Sequence, residues 1–464
     1  MPHSIKASHD KCEKRYRERT LLPLSTINPM LNSPEIAAQF ADTQCIDYML
    51  QVEMALAKVQ EKLGIIPQGT ADAVAEGIAA LDVDRARLHE SLEKNGVPTV
   101  DLIQQLREQL GNDAASYLHW GATTQDIMDT ALVLQLRSVL RVLQSQLERL
   151  MLQLAQRADA HRTTLMVGRT HSQQALPIVF GYKVANWVSS LLRHHQRLDE
   201  LKRRLLVVQF GGAAGTLASL GTDGLRVRDG LAVELGLGTA LSTWHTQRDN
   251  LAECAGWLSM LTGSLAKMAQ DIILMAQSEI TEVYETDDPT RGGSSTMPQK
   301  RNPVASEAII AAARTNATLL SNMHHAMIQE HERATGAWQT EWLTLPQMAI
   351  LAGAALRHAL FLSENLVVNV ARMAANVQAA NGLILAEAID LALAPYIGRT
   401  QAKQIIQSAV QVVLESGRHL VDVVREQVNV AFDWAQLKDE RHYLGSAEVF
   451  IDTILQEVER ITHD

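Results

Sequence analysis

An all-α protein, built as three helical domains around a central bundle of long helices, is expected from three features of the 464-residue sequence. Only 26 residues are Gly and 12 are Pro, so turns are scarce and the elements between them must be long. Aromatic residues make up 4% of the chain, and long stretches are filled by Ala, Leu, Gln, Glu and Arg, the strong helix formers, which disfavours an all-β architecture. Apolar residues also recur at steps of three and four over many consecutive turns.

Residues 1–30 read as a basic flexible arm. Residues 31–120 form an N-terminal helical domain that opens at Ser33-Pro34, a Ser cap followed by Pro at the first helical position. Ile46, Met49, Leu50, Leu56 and Ala57 then mark one helix face, up to a breaker at Gly64-Ile65-Ile66-Pro67, and shorter helices follow to about residue 118. The central bundle, 121–378, carries Leu132, Leu136, Val139, Leu143, Leu147, Leu150 and Leu154. A second seam runs through Leu251, Cys254, Leu258, Leu261, Leu265, Met268, Ile272 and Met275. Such a stripe exceeds what one monomeric face normally hides, so the bundle is expected to form the core of a homotetramer. Further helices should follow Asn302-Pro303 and Pro346, and a break at Asn381-Gly382 introduces a C-terminal helical domain, 379–464.

The balance of 42 basic against 52 acidic side chains gives a formal charge of −10 and argues against a nucleic-acid or anionic-membrane surface. Three well-separated cysteines (Cys12, Cys45 and Cys254) suggest neither a disulfide framework nor a paired-Cys metal site, and fit a reducing cytoplasm. The charged N-terminus lacks a signal-peptide core, and no run of about eighteen apolar residues appears, so a membrane span is not expected. His325 and His331 lack a metal-ligand spacing, and neither a metal nor an organic cofactor is expected.

The sharpest local feature is the loop from Gly292 to Pro303, which places Ser294, Ser295 and Lys300 just before a helix start. Backbone N–H groups there favour an anion; a flexible linker between helices is the plainer alternative. Thr123 and Thr124 precede an apolar-periodic segment, and Thr123-x-x-Asp126 fits a capping box. His119, beside Trp120, and His171 can each be read as a hydrogen-bonded structural histidine, the latter near a helix start. The Gly211-Gly212-Ala213-Ala214-Gly215 run misses the dinucleotide-binding pattern and reads better as a turn or a close helix crossing.

Residues 293–303 resemble the signature loop of the fumarase/aspartase superfamily, Gly-Ser-Ser-x-Met-Pro-x-Lys-x-Asn-Pro, at every fixed position. His119-Trp-Gly-Ala-Thr-Thr-Gln-Asp126, Gly168-Arg-Thr-His-Ser-Gln173 and Gln247-Arg248-Asp249 resemble its other motif regions, so the likeness runs from about residue 30 onward. The resemblance implies removal of a proton next to a carboxylate, with loss of a β-leaving group, on a small di- or tricarboxylate. It implies Ser294 as the base, Lys300 and Asn302 as stabilisers of the charged intermediate, and His171 at the leaving side, where imidazole's titration range suits proton transfer. Thr123, Thr124, Gln125, His119, Thr170, Gln247, Arg248, Arg333 and Trp338 are implied to bind substrate. The resemblance further implies active sites that draw on several subunits of the tetramer.

Within the superfamily, Gln209-Phe-Gly-Gly-Ala-Ala-Gly215, Trp244-His-Thr-Gln-Arg-Asp249, Gln329-Glu-His-Glu-Arg333 and His442-Tyr-Leu-Gly445 look most like the 3-carboxy-cis,cis-muconate cycloisomerase branch. The adenylosuccinate lyase branch is next. That branch uses adjacent histidines where residues 95–102 read Asn-Gly-Val-Pro-Thr-Val-Asp-Leu, and a phosphate-binding Arg where this chain has Trp342. His171 points the other way, because the cycloisomerases carry a residue such as Trp there and fumarate-releasing lyases keep His. A lyase cleaving a succinyl adduct to fumarate is therefore the alternative. A non-catalytic helical scaffold is a second alternative, and the intact Ser294, Lys300 and His171 disfavour it.

Overall fold

A computed structural model describes residues 28–111 and 113–463. A short turn of helix, α1 (Asn28–Leu31), precedes α2 (Pro34–Gln39), α3 (Asp42–Lys62), α4 (Thr70–Ala80), α5 (Arg85–Asn95) and α6 (Thr99–Leu110). Then come α7 (Thr124–Ala160), strands β1 (Leu165–Thr170) and β2 (Gln173–Val179), α8 (Phe180–Leu205), β3 (Val207–Val208), α9 (Gly224–Leu235), β4 (Gly238–Thr239) and α10 (Asp249–Met275). The order continues through β5 (Val283–Tyr284), α11 (Val304–Ala326), α12 (Ala337–Asn365), β6 (Val367–Val368), α13 (Val370–Ala379), α14 (Ala386–Ile397), α15 (Arg399–Ser416), α16 (Leu420–Arg425), α17 (Trp434–Lys438) and α18 (Ala447–His463). The architecture is all-α, and strands occur only as three two-stranded pairs among the described residues.

The chain divides into two compact units. Of the described residues, the first takes those from 28 to 145 together with 196–262 and 312–355. Its core joins Leu50, Leu56, Val74, Leu102 and Leu106 to Ile127, Leu134, Phe210 and Val227. The second takes 146–195, 263–311 and 356 onward, with a core in which Val167 packs with Ile384, Leu385, Ile389, Leu393, Ala402, Leu420 and Val424.

Helix α2 starts at Pro34 behind Ser33, and α3 stops at Lys62, just before Gly64 with its left-handed φ of +71°. The seam on α10 is buried at all eight positions, none more than 3% exposed. That burial occurs within a single chain, so the stripe does not require other subunits, and the argument from it to a tetramer does not hold. Large apolar side chains do remain exposed elsewhere on the long helices: Leu152 on α7, and Met260 and Leu274 on α10.

Among the described residues helical order opens at Asn28 instead of Ser33-Pro34, and two further expectations need correction. Helix α12 does not follow Pro346 but begins at Ala337 and carries Pro346 inside it. The lost N–H costs one ladder bond, which a 29-residue helix buried along much of its length tolerates. This is also the one helix among the described residues long and apolar enough to cross a membrane, but 78% of its apolar window is buried inside the protein. His171, in turn, lies near no helix start. It occupies the two-residue turn of the β1/β2 hairpin, where His171 (φ 50°) and Ser172 (φ 63°) are both left-handed and Thr170 pairs with Gln173. That geometry is a type I′ turn, usually announced by Asn-Gly.

Candidate active site

In the first unit Thr123, Gln125, Arg248 and Trp338 gather around two buried carboxylates, both on the first turns of α7. Asp126 accepts from the Thr123 N–H (3.0 Å), the Gly211 and Gly212 N–H groups (2.9 Å each) and His245 Nε2 (2.7 Å). The glycine run is thus a turn wrapped around a carboxylate. At Gly211 a Cβ would meet Thr243 at 2.5 Å, so only glycine fits. The Thr123 bond to Asp126 is one half of a capping box, and neither threonine hydroxyl has a partner among the described residues.

Asp129, one helical turn on, accepts from both terminal nitrogens of Arg248 (2.6 and 2.9 Å), from Gln125 Nε2 (3.0 Å) and from Trp338 Nε1 (3.1 Å). Arg248 also donates through Nε to Glu341 (2.8 Å) and packs against the Trp244 ring. Burial pulls the Arg248 guanidinium down, but Asp129 and Glu341 outweigh it and hold its pKa above the ordinary arginine value. Burial pushes the Glu341 carboxyl up despite Arg248. Arg248 is 2% exposed, so its expected contact with substrate gives way to an internal role: it ties α10 to α7 and α12. Gln125 is likewise buried and bridges Asp129 to Arg333, whose guanidinium donates to Gln125 Oε1 (3.0 Å) and the Ala213 carbonyl (2.9 Å). Trp338 stacks edge-on against Trp342, with ring centroids 4.9 Å apart. Gln247 is exposed. His119 is left-handed (φ 62°) and pairs through Nδ1 with Glu53 at 2.6 Å.

The second unit holds the remaining residues. Arg169 of β1 makes a two-pronged bond to Glu282 (2.9 and 2.8 Å), and Asn376 donates to the same carboxylate (2.9 Å). This clamp anchors the hairpin whose tip exposes Thr170 and His171. In the signature loop, Gly293 bridges Arg301 in antiparallel register, and the Asn302 N–H donates to the Gly292 carbonyl (2.7 Å). Ser294 Oγ accepts weakly from the Thr296 and Met297 N–H groups (3.3 and 3.2 Å), while Ser295 and Lys300 are exposed.

Asn302 does not cap α11. Its backbone is committed to the loop neck, and Glu285 instead receives the Ala305 and Ser306 N–H groups (3.0 and 2.7 Å). The expected anion position at this helix start is therefore taken by a protein carboxylate.

Burial pushes the Cys45 and Cys254 thiols up to about 11 and 12, which leaves neither a thiolate nucleophile near neutral pH. Among the described residues no group of three or more His, Cys, Asp or Glu side chains is placed to hold a metal ion. Of the carboxylates that organise the site, Glu341 stands beside Trp342 in a stretch that carries the family resemblance, whereas no motif marks Glu53, Asp129, Glu282 or Glu285 as site residues. A signal exists for Glu53, which interrupts the helix face carrying Met49, Leu50, Leu56 and Ala57, but not for Asp129, whose face also holds Gln125 and Asp126.

A lyase family model matches residues 31–316. A 3-carboxy-cis,cis-muconate cycloisomerase of Acinetobacter baylyi is 40% identical over 433 residues, 91% of this chain and 96% of the relative. The chain belongs to the fumarase/aspartase superfamily. Among solved structures, the 3-carboxy-cis,cis-muconate lactonizing enzyme of Pseudomonas putida superposes with a TM-score of 0.88 at 39% identity, covering 94% of this chain and 99% of that one. A fumarate lyase from Mesorhizobium sp. BNC1 superposes at 0.86 with 40% identity, over 92% and 98%.

Proposed function

We propose that the protein is a 3-carboxy-cis,cis-muconate cycloisomerase, an isomerase of aromatic catabolism that acts in the cytoplasm without a cofactor. The observation that carries this reading is the 40% identity over 91% of the chain with the Acinetobacter enzyme of that name.

A substrate carboxylate oxygen bonds to the far alkene carbon, and the alkene pair shifts to the carbon beside a second carboxylate. That carbon then takes up a proton, so the substrate trianion and one proton give a lactone dianion, which as the free acid is an isomer of the substrate acid. Ser294 delivers the proton in this direction and removes it in reverse. Lys300 and Asn302 hold the carboxylate that carries the transient charge. The Thr123 and Thr124 hydroxyls, Thr170, Gln247 and His119 bind the remaining carboxylates. Arg333 adds a cation, held in place through Gln125, and Trp338 with Trp342 wall the site. Arg248 acts from behind by fixing Asp129 and Glu341. Turnover in D2O should place one deuteron on the carbon next to the carboxylate, read by proton NMR; a product without it would rule out this proton delivery.

One observation favours a second reading. His171, exposed at a hairpin tip, suits an amine or hydroxyl leaving group better than an internal carboxylate of low basicity. A fumarate-releasing elimination from a succinyl adduct uses the same carbon-acid step. Under either reading we propose a homotetramer, in keeping with the exposed Leu152, Met260 and Leu274; light scattering giving a clean monomer would contradict it.

A further inference from the structure

Glu53 lies on α3, away from every sequence motif, yet its side chain is buried at 1% exposure and meets His119 Nδ1 at 2.6 Å. Gln60, two helical turns further along α3, donates to the Trp120 carbonyl at 2.7 Å and is itself fully buried. Two polar side chains on one helix face therefore hold this segment, Glu53 by the His119 ring and Gln60 by the Trp120 carbonyl, and His119 has a left-handed φ of 62° that non-glycine residues seldom adopt. A left-handed residue fixed by a buried bond to its own ring and another to its neighbour's carbonyl is a pattern that concentrates at functional sites. His119 Nε2 has no partner among the described residues, and its ring keeps 17% of its surface exposed.

We propose that Glu53 is a positioning residue: it holds His119 through Nδ1 so that the ring is an imidazolium, whose Nε2–H donates to a substrate carboxylate. The inference rests on the carboxylate-substrate reading above. Charge state decides the sign of the interaction. A neutral ring bonded through Nδ1–H to Glu53 turns a lone pair on Nε2 toward the anion, whereas a protonated ring presents a donor. The charged groups facing the ring are Glu53 from α3, Asp126 from α7 and Arg107 from α6. Burial and Arg107 oppose protonation; the two carboxylates outweigh them and hold the imidazole above its ordinary value.

Carbethoxylation by diethyl pyrocarbonate, followed by mass spectrometry of the peptide containing His119, reads the fraction of neutral ring against pH and needs no substrate. In the wild-type protein the midpoint should lie above about 6.5, the ordinary imidazole value. In Glu53→Gln it should fall by roughly one pH unit or more, with Glu53→Asp restoring part of the shift. KM for 3-carboxymuconate at neutral pH should rise roughly tenfold in Glu53→Gln, with kcat changed much less. A wild-type midpoint at or below the ordinary value, or equal midpoints in wild type and Glu53→Gln, overturns the proposal. Wild-type inactivity on the muconate would instead count against the proposed reaction, and the modification result would still decide the role of Glu53.

Discussion

Arg248→Met removes a cation from between two carboxylates whose side chains, like that of Arg248, are each about 1% exposed. Methionine fills much of the same volume but leaves Asp129 and Glu341 facing each other without the guanidinium. Removing one partner of a buried ion pair costs about 3–5 kcal/mol, and here both acids lose the same partner. For a cooperative unit of roughly 200 residues each kcal/mol shifts Tm by about 2–4 °C, so a fall of about 10 °C or more is expected by differential scanning fluorimetry. The loss must also depend on pH. Without Arg248, the Glu341 carboxyl, already pushed up by burial, rises further, and the folded variant binds a proton more tightly than the unfolded chain. Stability linked to that proton is present at low pH and is lost as pH rises through the raised folded value. The gap between wild type and variant should therefore narrow from pH 8 to pH 5. A Tm change under about 2 °C, or a gap that does not vary with pH, would refute the assignment of Arg248 as the internal tie.

Ser294→Ala should lower turnover by several orders of magnitude with the fold intact by circular dichroism, while Ser295→Ala should leave most of it; the reverse result would move the base by one residue. Gly292→Ala places a Cβ 2.4 Å from the Asn302 carbonyl oxygen at a φ of +67°. It should open the loop neck and reduce kcat far more than Gly293→Ala, where nothing lies within 4 Å; equal effects in steady-state assays would contradict the neck geometry. Arg333→Ala should weaken calorimetric binding of propane-1,2,3-tricarboxylate by roughly tenfold or more, and tight wild-type binding of a nucleoside 5′-phosphate would contradict the Trp-walled site.

Much of the helical framework is legible in the sequence because it rests on periodicity. The α10 seam from Leu251 to Met275 follows from spacing, and the α2 start from Pro34 at its first position, although the Ser33 side chain makes no cap bond. Features set by tertiary contacts were not legible. The hairpin turn at His171-Ser172 lacks Gly and Asn, and its geometry is imposed by β1/β2 pairing and the Arg169–Glu282 clamp. Pro346 looked like a start signal because the cost of an internal proline is local, whereas the burial that offsets it is not. The signature loop showed which side chains it carries, but not that Glu285 occupies the helix start beside it. Arg248 was recognisable from its motif; its pairing with Asp129 and Glu341, more than ninety residues away in sequence, was not.

Direct assay of the purified protein on both substrate classes tests the central claim. Protein is incubated with 3-carboxy-cis,cis-muconate and, separately, with a panel of N-, O- and S-succinyl adducts, and ultraviolet absorbance follows diene loss in the first case and fumarate formation in the second. The account predicts loss of the diene with a lactone of unchanged mass as product, abolished by Ser294→Ala, and little or no fumarate from the adducts. Fumarate release from an adduct with the muconate untouched would contradict it.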